Sequence, residues 1–326
     1  MIQVIIPTYN RPKCIELLLR DCIDVYQGEL FKFVILDSST NDDTKALVEK
    51  SEKIEYRRFE PSVNVDDKVI GAITECSDDY YWLLGDGNLV DFKSVEHLIE
   101  NLPDFDVLEI DSINSKRNTK SLQEKCESHN DLLGFIKNRY SHLTYWGSTI
   151  VKTELAKETF KSGAMDKYRE DALSWWSATL VCEMISAALK NRINLRIYTL
   201  FTKHFYGNPE KKDRSWAKGE NYFLTTFKVF DKDVYMLPKY FDDVKNDIIR
   251  IFRDDVLVTR KYLIQLKHRG VIKLKYVSSI PIIRRFGIIL LNLQPLIALP
   301  TPRLQIIRES STPFLSTCIH SIRCGE

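Results

Sequence analysis

Ile2-Gln3-Val4-Ile5-Ile6-Pro7-Thr8-Tyr9-Asn10-Arg11-Pro12 is the stretch on which the fold turns. Ile2–Ile6 is a short apolar run closed by a proline, the pattern of a buried parallel strand. Asn10 is placed to cap a helix that has Pro12 in its first turn and Ile15, Leu18, Leu19, Cys22 and Ile23 on one face. The alternation then repeats. Phe33–Leu36 reads as a second strand, and Asp37–Asp43 as a polar loop capping a helix around Thr44–Lys50. Ile54–Phe59 is a third strand, Asp66–Glu75 a helix, and Tyr80–Leu84 a fourth strand that runs into Gly85-Asp86-Gly87-Asn88. This order predicts an α/β, Rossmann-like fold, with a mostly parallel central sheet flanked by helices. Ligands of such sheets collect beyond the carboxyl ends of the strands, where loops 8–11, 37–43 and 85–88 lie.

Farther along, Asp106–Ile110 and Tyr145–Val151 read as strands, and Ala172–Lys190 as a long helix containing Trp175, Trp176, Leu180 and Met184. The apolar run Leu195–Phe201 follows it. Helical periodicity dominates from about residue 218, so a boundary is expected in the polar stretch between about 208 and 220. Residues 1–210 then form one domain, with a nucleotide-binding half of about 1–110 and an acceptor half of about 111–210. Residues 218–326 form a helical, basic and amphipathic C-terminal region.

At 326 residues, 44% hydrophobic and 28% charged, the chain can bury a large core and is not disordered. Its seven cysteines contain no C-x-x-C pair and are expected as buried free thiols. Met1 runs straight into a strand, so no signal peptide is expected and a cytoplasmic location is. The net charge of +2 conceals an asymmetry. Arg250–Glu309 carries twelve basic and three acidic residues, a net +9, which leaves −7 elsewhere. Phe286–Pro300 is strongly apolar but is only fifteen residues long and contains Pro295, too short to span a bilayer. Flanked by Lys273, Lys275, Arg284, Arg285 and Arg303, it fits an interfacial segment on anionic lipid. That expectation extends over about 256–308, at the inner face of the plasma membrane. A core helix with a solvated basic flank is the alternative, and the helical region could equally serve a homodimer. Nucleic acid is not expected as a partner, because aromatics are not interleaved with the basic residues.

Familiar chemistry motifs are missing. There is no G-x-G-x-x-G after the first strand and no G-x-x-x-x-G-K-[ST], which removes the dinucleotide and P-loop readings. No G-x-S-x-G elbow or H-E-x-x-H is present either. Four segments nevertheless follow one another in a familiar order. They are Val4–Pro12, Ile35-Leu36-Asp37-Ser38-Ser39-Thr40-Asn41-Asp42-Asp43-Thr44, Tyr81-Trp82-Leu83-Leu84-Gly85-Asp86-Gly87-Asn88, and Arg169-Glu170-Asp171-Ala172-Leu173-Ser174-Trp175-Trp176. Together they resemble the family 2 glycosyltransferases of bacterial surface-polysaccharide type, inverting enzymes with the GT-A fold. The second segment is similar to the family's V-D-D-G-S-x-D-x-T, the third sits where it has its metal-binding D-x-D, and the fourth resembles the E-D segment opening the acceptor-side helix. The resemblance covers residues 2 to about 205.

It implies a nucleotide-sugar pocket built from Pro7, Thr8, Tyr9, Arg11, Asp37, Ser38, Lys68 and Asp86. The matching positions hold uracil in the family, so a UDP-sugar is the expected donor. Thr8, Tyr9 and Asp37 can supply a hydroxyl, a ring face and a carboxylate to a base, although loop and cap roles would explain Thr8 and Asp37 equally. Diphosphate charge calls for a divalent cation, Mn or Mg, and here the sequence departs from the pattern. Aligned on Tyr81 and Leu84, the two aspartates of D-x-D fall on Gly85 and Gly87. A shift of one residue instead makes Asp86-Gly87-Asn88 a D-x-N of oxygen ligands, with His204 as a further candidate ligand. Lys68 and His204 could also hold the diphosphate directly. Asp171 matches the family's catalytic base, with Glu170 beside it; a carboxylate pair on the helix dipole is the bland alternative. Trp146, Trp175 and Trp176 could stack on the acceptor.

The expected function is inverting transfer of a sugar from a UDP-sugar to a hydroxyl of a glycan or lipid-linked acceptor, in cell-surface polysaccharide synthesis. The altered D-x-D keeps a second class open: a catalytically impaired scaffold that binds a nucleotide or glycan. A nucleotidyltransferase is disfavoured, because its Gly-rich opening loop with Arg and Lys is absent.

Overall fold

The computed structural model describes residues 1–111, 124–126, 128–168, 176–210 and 230–257. The chain divides into two compact units, Met1–Asp213 with Val229–Ile249, and Arg214–Lys228 with Arg250–Glu326. Residues 229–249 thus belong to the first unit, although they lie past the boundary expected from the sequence. Of the second unit only residues 250–257, the end of the helix Asp242–Leu257, are described. The basic and apolar segment 273–304 lies outside the described residues. No described helix is long and apolar enough to cross a membrane.

The first unit opens with β1 (Ile2–Thr8), α1 (Pro12–Leu18), β2 (Phe31–Asp37), α2 (Asp43–Val48), β3 (Ile54–Arg58), α3 (Val65–Glu75) and β4 (Tyr80–Leu83). A short β5 (Asn88–Val90), α4 (Phe92–Glu100), β6 (Val107–Asp111) and β7 (Glu124–Cys126) follow. Then come α5 (His129–Leu143), β8 (Thr149–Lys152), α6 (Thr153–Lys161), α7 (Trp176–Asn191), β9 (Ile197–Phe201) and β10 (Phe205–Gly207). Eight strands make one sheet in the order β3-β2-β1-β4-β8-β6-β9-β7, and β10 pairs with β5 in a separate ribbon. β8 and β7 run antiparallel to their neighbours, while the remaining sheet pairs are parallel. The doubly wound α/β sheet expected from the sequence is therefore present.

All seven residues of β1 are buried, Gln3 included, which explains why it reads as a mostly apolar run. The chain winds outward from β1 to β3 and then returns to place β4 on the other side of β1. This reversal opens a crevice at the carboxyl ends of β1 and β4, the usual ligand position in open α/β sheets. Trp82, fully buried on β4, anchors the core beneath it. Its ring centroid lies 5.8 Å from that of Phe31 and 6.0 Å from that of Phe92, and such pairs add about 1 kcal/mol each beyond area burial.

Asn10 does not cap α1. It adopts a left-handed φ of 52°, and the N-cap position falls on Arg11, which makes no side-chain cap bond. The Asn10 side chain instead accepts from the amide and hydroxyl of Thr40 at 2.9 and 3.1 Å, while its own amide donates to Ser39 Oγ at 2.8 Å. The first two loops at the carboxyl edge are thereby tied together. Among the described residues Cys14, Cys22, Cys76 and Cys182 are buried and free. Burial pushes the Cys22 thiol up to about 11, so it is inert.

Candidate active site

Three loops meet where the sheet reverses. Thr8, at the end of β1, donates its hydroxyl to Asp86 Oδ2 at 2.9 Å, and Arg11 Nη1 lies 2.8 Å from Asp86 Oδ1. Asp86 is buried, so its carboxylate belongs to the pocket wall. Asp37, at the end of β2, is fully buried. Its Oδ1 accepts from the Ser39 amide at 2.8 Å, and its Oδ2 accepts from the Tyr56 hydroxyl at 2.8 Å and from Arg58 Nη1 at 2.9 Å. Burial pushes the Tyr56 hydroxyl up, which keeps it a donor to this carboxylate. Beneath both loops lies Lys68, on the inner face of α3. Its ammonium donates to Ser38 Oγ at 2.7 Å and to the carbonyls of Leu36 and Thr8 at 3.3 and 3.5 Å. Burial pushes it down from 10.5 to about 8, opposed by the charges of Asp37 and Asp86. Pro7 is buried in the same edge, and the Tyr9 ring above it is half exposed. The structure thus brings Pro7, Thr8, Tyr9, Arg11, Asp37, Ser38, Lys68 and Asp86 together at one edge of the sheet.

The expected metal ligands do not assemble. Asn88 donates its amide to the Trp146 carbonyl at 3.0 Å and so fastens the 85–88 loop to the turn before β8. His204 pairs with Asp91, Nδ1 to Oδ2 at 3.3 Å, because β10 runs antiparallel to β5 and carries His204 away from Asp86. The residue that the ribbon does bring to Asp86 is Asn208. It donates its side-chain amide to the carbonyls of Asp86 and Cys14 at 3.3 and 3.0 Å, and its backbone amide to Gly87 at 2.9 Å. Asn-Pro at 208–209 reads in the sequence only as a turn at a domain boundary. Among the described residues no three His, Cys, Asp or Glu side chains group as a metal set. Among the described residues the remaining donors at this loop are one carboxylate shared with a guanidinium and one neutral amide. By themselves they fit a divalent cation poorly, because the single carboxylate is already paired and the amide is neutral.

Across the 85–88 loop, Trp146 is half buried and lies against Gly85. Trp176 offers no open ring face: it is buried, and its indole N–H donates to Asp66 Oδ1 at 2.9 Å. Its role is to pin α7 to α3. Glu170, Asp171 and Trp175 lie outside the described residues. A cluster missed in the sequence occupies the carboxyl end of β6. Glu109 and Asp111, two residues apart on one face of the strand, are fully buried. Arg139 Nη1 lies 2.7 Å from Asp111, His142 Nδ1 lies 2.8 Å from Glu109, and the Thr199 hydroxyl donates to Glu109 at 2.8 Å. The signal was available: two acids alternating inside the apolar strand Val-Leu-Glu-Ile-Asp demand buried partners.

The family model for glycosyl transferase family 2 matches residues 3–174, more than half of the chain and every loop of this pocket. The chain belongs to glycosyl transferase family 2. This family 2 glycosyltransferase resembles solved structures at low identity. TarS of S. aureus shares 14% identity at a TM-score of 0.50, with 87% of this chain and 52% of TarS covered, so the chain spans about half the length of that protein. A mannosyltransferase of Pyrobaculum calidifontis, solved with GDP-Man and Mn2+, shares 12% identity at a TM-score of 0.48, covering 89% and 80%. Glucosyl-3-phosphoglycerate synthase of Mycobacterium tuberculosis, solved with Mn2+, UDP and glucosyl-3-phosphoglycerate, shares 11% at 0.42, covering 73% and 81%. No curated protein matches the sequence.

Proposed function

We propose that this glycosyltransferase moves a sugar with inversion from a UDP-sugar to a hydroxyl of a glycan or lipid-linked acceptor, in the synthesis of a cell-surface polysaccharide. The observation that carries the donor half is the convergence of Thr8, Arg11, Asp37, Ser38, Lys68 and Asp86 on the switch point between β1 and β4. Tyr9 supplies an exposed ring for stacking a base, and the buried Asp37, braced by Tyr56 and Arg58, supplies the polar floor. Residues 1–210 form the catalytic domain in this reading.

Inversion needs one carboxylate opposite the leaving group, to take the acceptor proton as the hydroxyl attacks the anomeric carbon. We assign that role to Asp171, with Glu170 as its neighbour, and place Trp146 beside the acceptor. Among UDP-glucose, UDP-galactose and their N-acetyl and uronic acid forms, one donor is expected to turn over. Asp171→Asn should then lower kcat by ~10³-fold or more while UDP affinity stays within about threefold. A wild type that binds UDP but turns over no donor, and is indifferent to Asp171→Asn, is instead the scaffold that Asp86-Gly87-Asn88 favours as a second reading. The basic region 256–308 is assigned to an anionic membrane surface on its charge alone. Co-sedimentation of the full chain with phosphatidylglycerol vesicles, lost at high salt, tests it.

A further inference from the structure

The charge of the pocket is not that of a site waiting for a cation. A diphosphate entering a pocket of aspartates needs a metal between like charges. Here the side chains drawn together at the ends of β1, β2 and β4 comprise three carboxylates, Asp37, Asp42 and Asp86, and three cations, Arg11, Arg58 and Lys68. Their sum is zero before any ligand arrives, so this set has no surplus of negative charge for a metal to offset. The acids that would make it negative are missing from Gly85 and Gly87 in one alignment of the loop and from Asn88 in the other. Asn88 is committed to the Trp146 carbonyl, and His204 is committed to Asp91.

We infer that Arg11, oriented by Asp86, neutralises the donor diphosphate in place of a divalent cation, with Lys68 adding charge from beneath. A guanidinium presents five N–H donors in a planar fork, and two parallel bonds to phosphate oxygens suit it. Asp86 anchors Nη1 at 2.8 Å and is itself fixed by the Thr8 hydroxyl, so the guanidinium is held at the pocket edge before a ligand binds. In this arrangement Asp86 is a positioning residue for Arg11 and does not ligate a metal. Lys68 is 4% exposed and sits between the carbonyls of Thr8 and Leu36. It therefore acts at longer range, through field rather than contact. The inference rests on the donor reading above and adds to it the means by which the diphosphate is held.

The test is calorimetric titration of the full chain with UDP, GDP, CDP, ADP and uridine, in EDTA and then in Mn. A nucleoside diphosphate is expected to bind in EDTA with a Kd within about threefold of its value in Mn. Arg11→Ala should weaken that binding by ~10- to 100-fold, the range of charge-assisted hydrogen bonds lost, while uridine binding stays unchanged. Arg11→Lys should recover part of the loss, since charge survives but the fork does not. Binding that disappears in EDTA and returns with Mn would keep the donor reading and overturn the inference. An Arg11→Ala protein whose binding in EDTA matches the wild type would overturn it as well. Failure of all four diphosphates under both conditions would overturn the donor reading, and this inference with it.

Discussion

Lys68 titrates in an accessible pH range, which makes the electrostatics of the pocket measurable without any substrate. Buried under Thr8 and Ser38, its ammonium is pushed down from 10.5 to about 8, burial acting first and Asp37 and Asp86 opposing it. In the unfolded chain it returns to the ordinary value of ~10.4. Between these limits the unfolded chain holds a proton that the folded one has lost, so the contribution of Lys68 to stability rises with pH. At ~1.36 kcal/mol per pH unit the interval corresponds to about 3 kcal/mol, reduced to ~2 kcal/mol by water at the pocket mouth. Tyr26 and Cys22 are shifted upward by burial and act in the opposite sense over the same range. The informative quantity is therefore the difference between wild type and Lys68→Met in urea denaturation at pH 7, 8, 9 and 10. The wild type should gain about 2 kcal/mol over the variant from pH 7 to 10, with most of the rise above pH 8. A difference that stays flat within ~0.5 kcal/mol, or that falls with pH, would mean that the ammonium is solvated and the burial argument wrong.

Two further perturbations probe the frame around the pocket. Gly147 has φ +107°, and a Cβ there would come within 2.5 Å of Phe205 Cζ. Gly147→Ala should therefore cost about 3 kcal/mol from backbone strain and overpacking, read as a lower urea midpoint with an unchanged slope. Asp37→Ala leaves the Tyr56 hydroxyl, the Ser39 amide and the Arg58 guanidinium without their shared acceptor. It should cost ~3 kcal/mol in the same assay, with Asp37→Asn, which retains an acceptor oxygen, losing about half as much.

The first four strands are legible in the sequence because their signals are local. β1 and β2 are mostly apolar runs, broken only by Gln3 and Lys32 before their polar ends, turn residues follow them, and periodicity changes from strand to helix at each loop. The strand ends of Thr8 and Asp37 could therefore be assigned to one edge before any contact was known. The register between distant segments was not legible. His204 and Asn208 are four residues apart and equally polar, and only the antiparallel pairing of Phe205 with Val90 decides which of them reaches Asp86. Trp176 illustrates the same limit, since an indole beside two acids reads as an acceptor platform until its N–H is found on Asp66 of another helix. Asn10 failed for a different reason. Its side chain found a partner at Thr40 and its backbone amide one at Ser39, some thirty residues away, and these prevailed over the local cap.

The altered 85–88 loop and Arg11 are best understood as one electrostatic arrangement. A pocket that kept its aspartates without a metal would repel a diphosphate. One that held an arginine beside a full metal set would put a guanidinium about 4 Å from a divalent ion, where repulsion at an effective dielectric of ~20 is about 8 kcal/mol. An 85–88 loop with a single aspartate relieves both conflicts if a fixed cation takes over the phosphates. Arg11, 2.8 Å from the one carboxylate that remains, stands where that cation is required. The Asn88 amide can then serve the Trp146 carbonyl, as a metal-ligating aspartate could not, because a carboxylate has no N–H to donate. The same substitution thus fastens the donor loop to the turn that carries Trp146. Restoring the acid therefore has two predicted consequences: Asn88→Asp should loosen this link, and it should not by itself create a dependence on Mn while Arg11 remains.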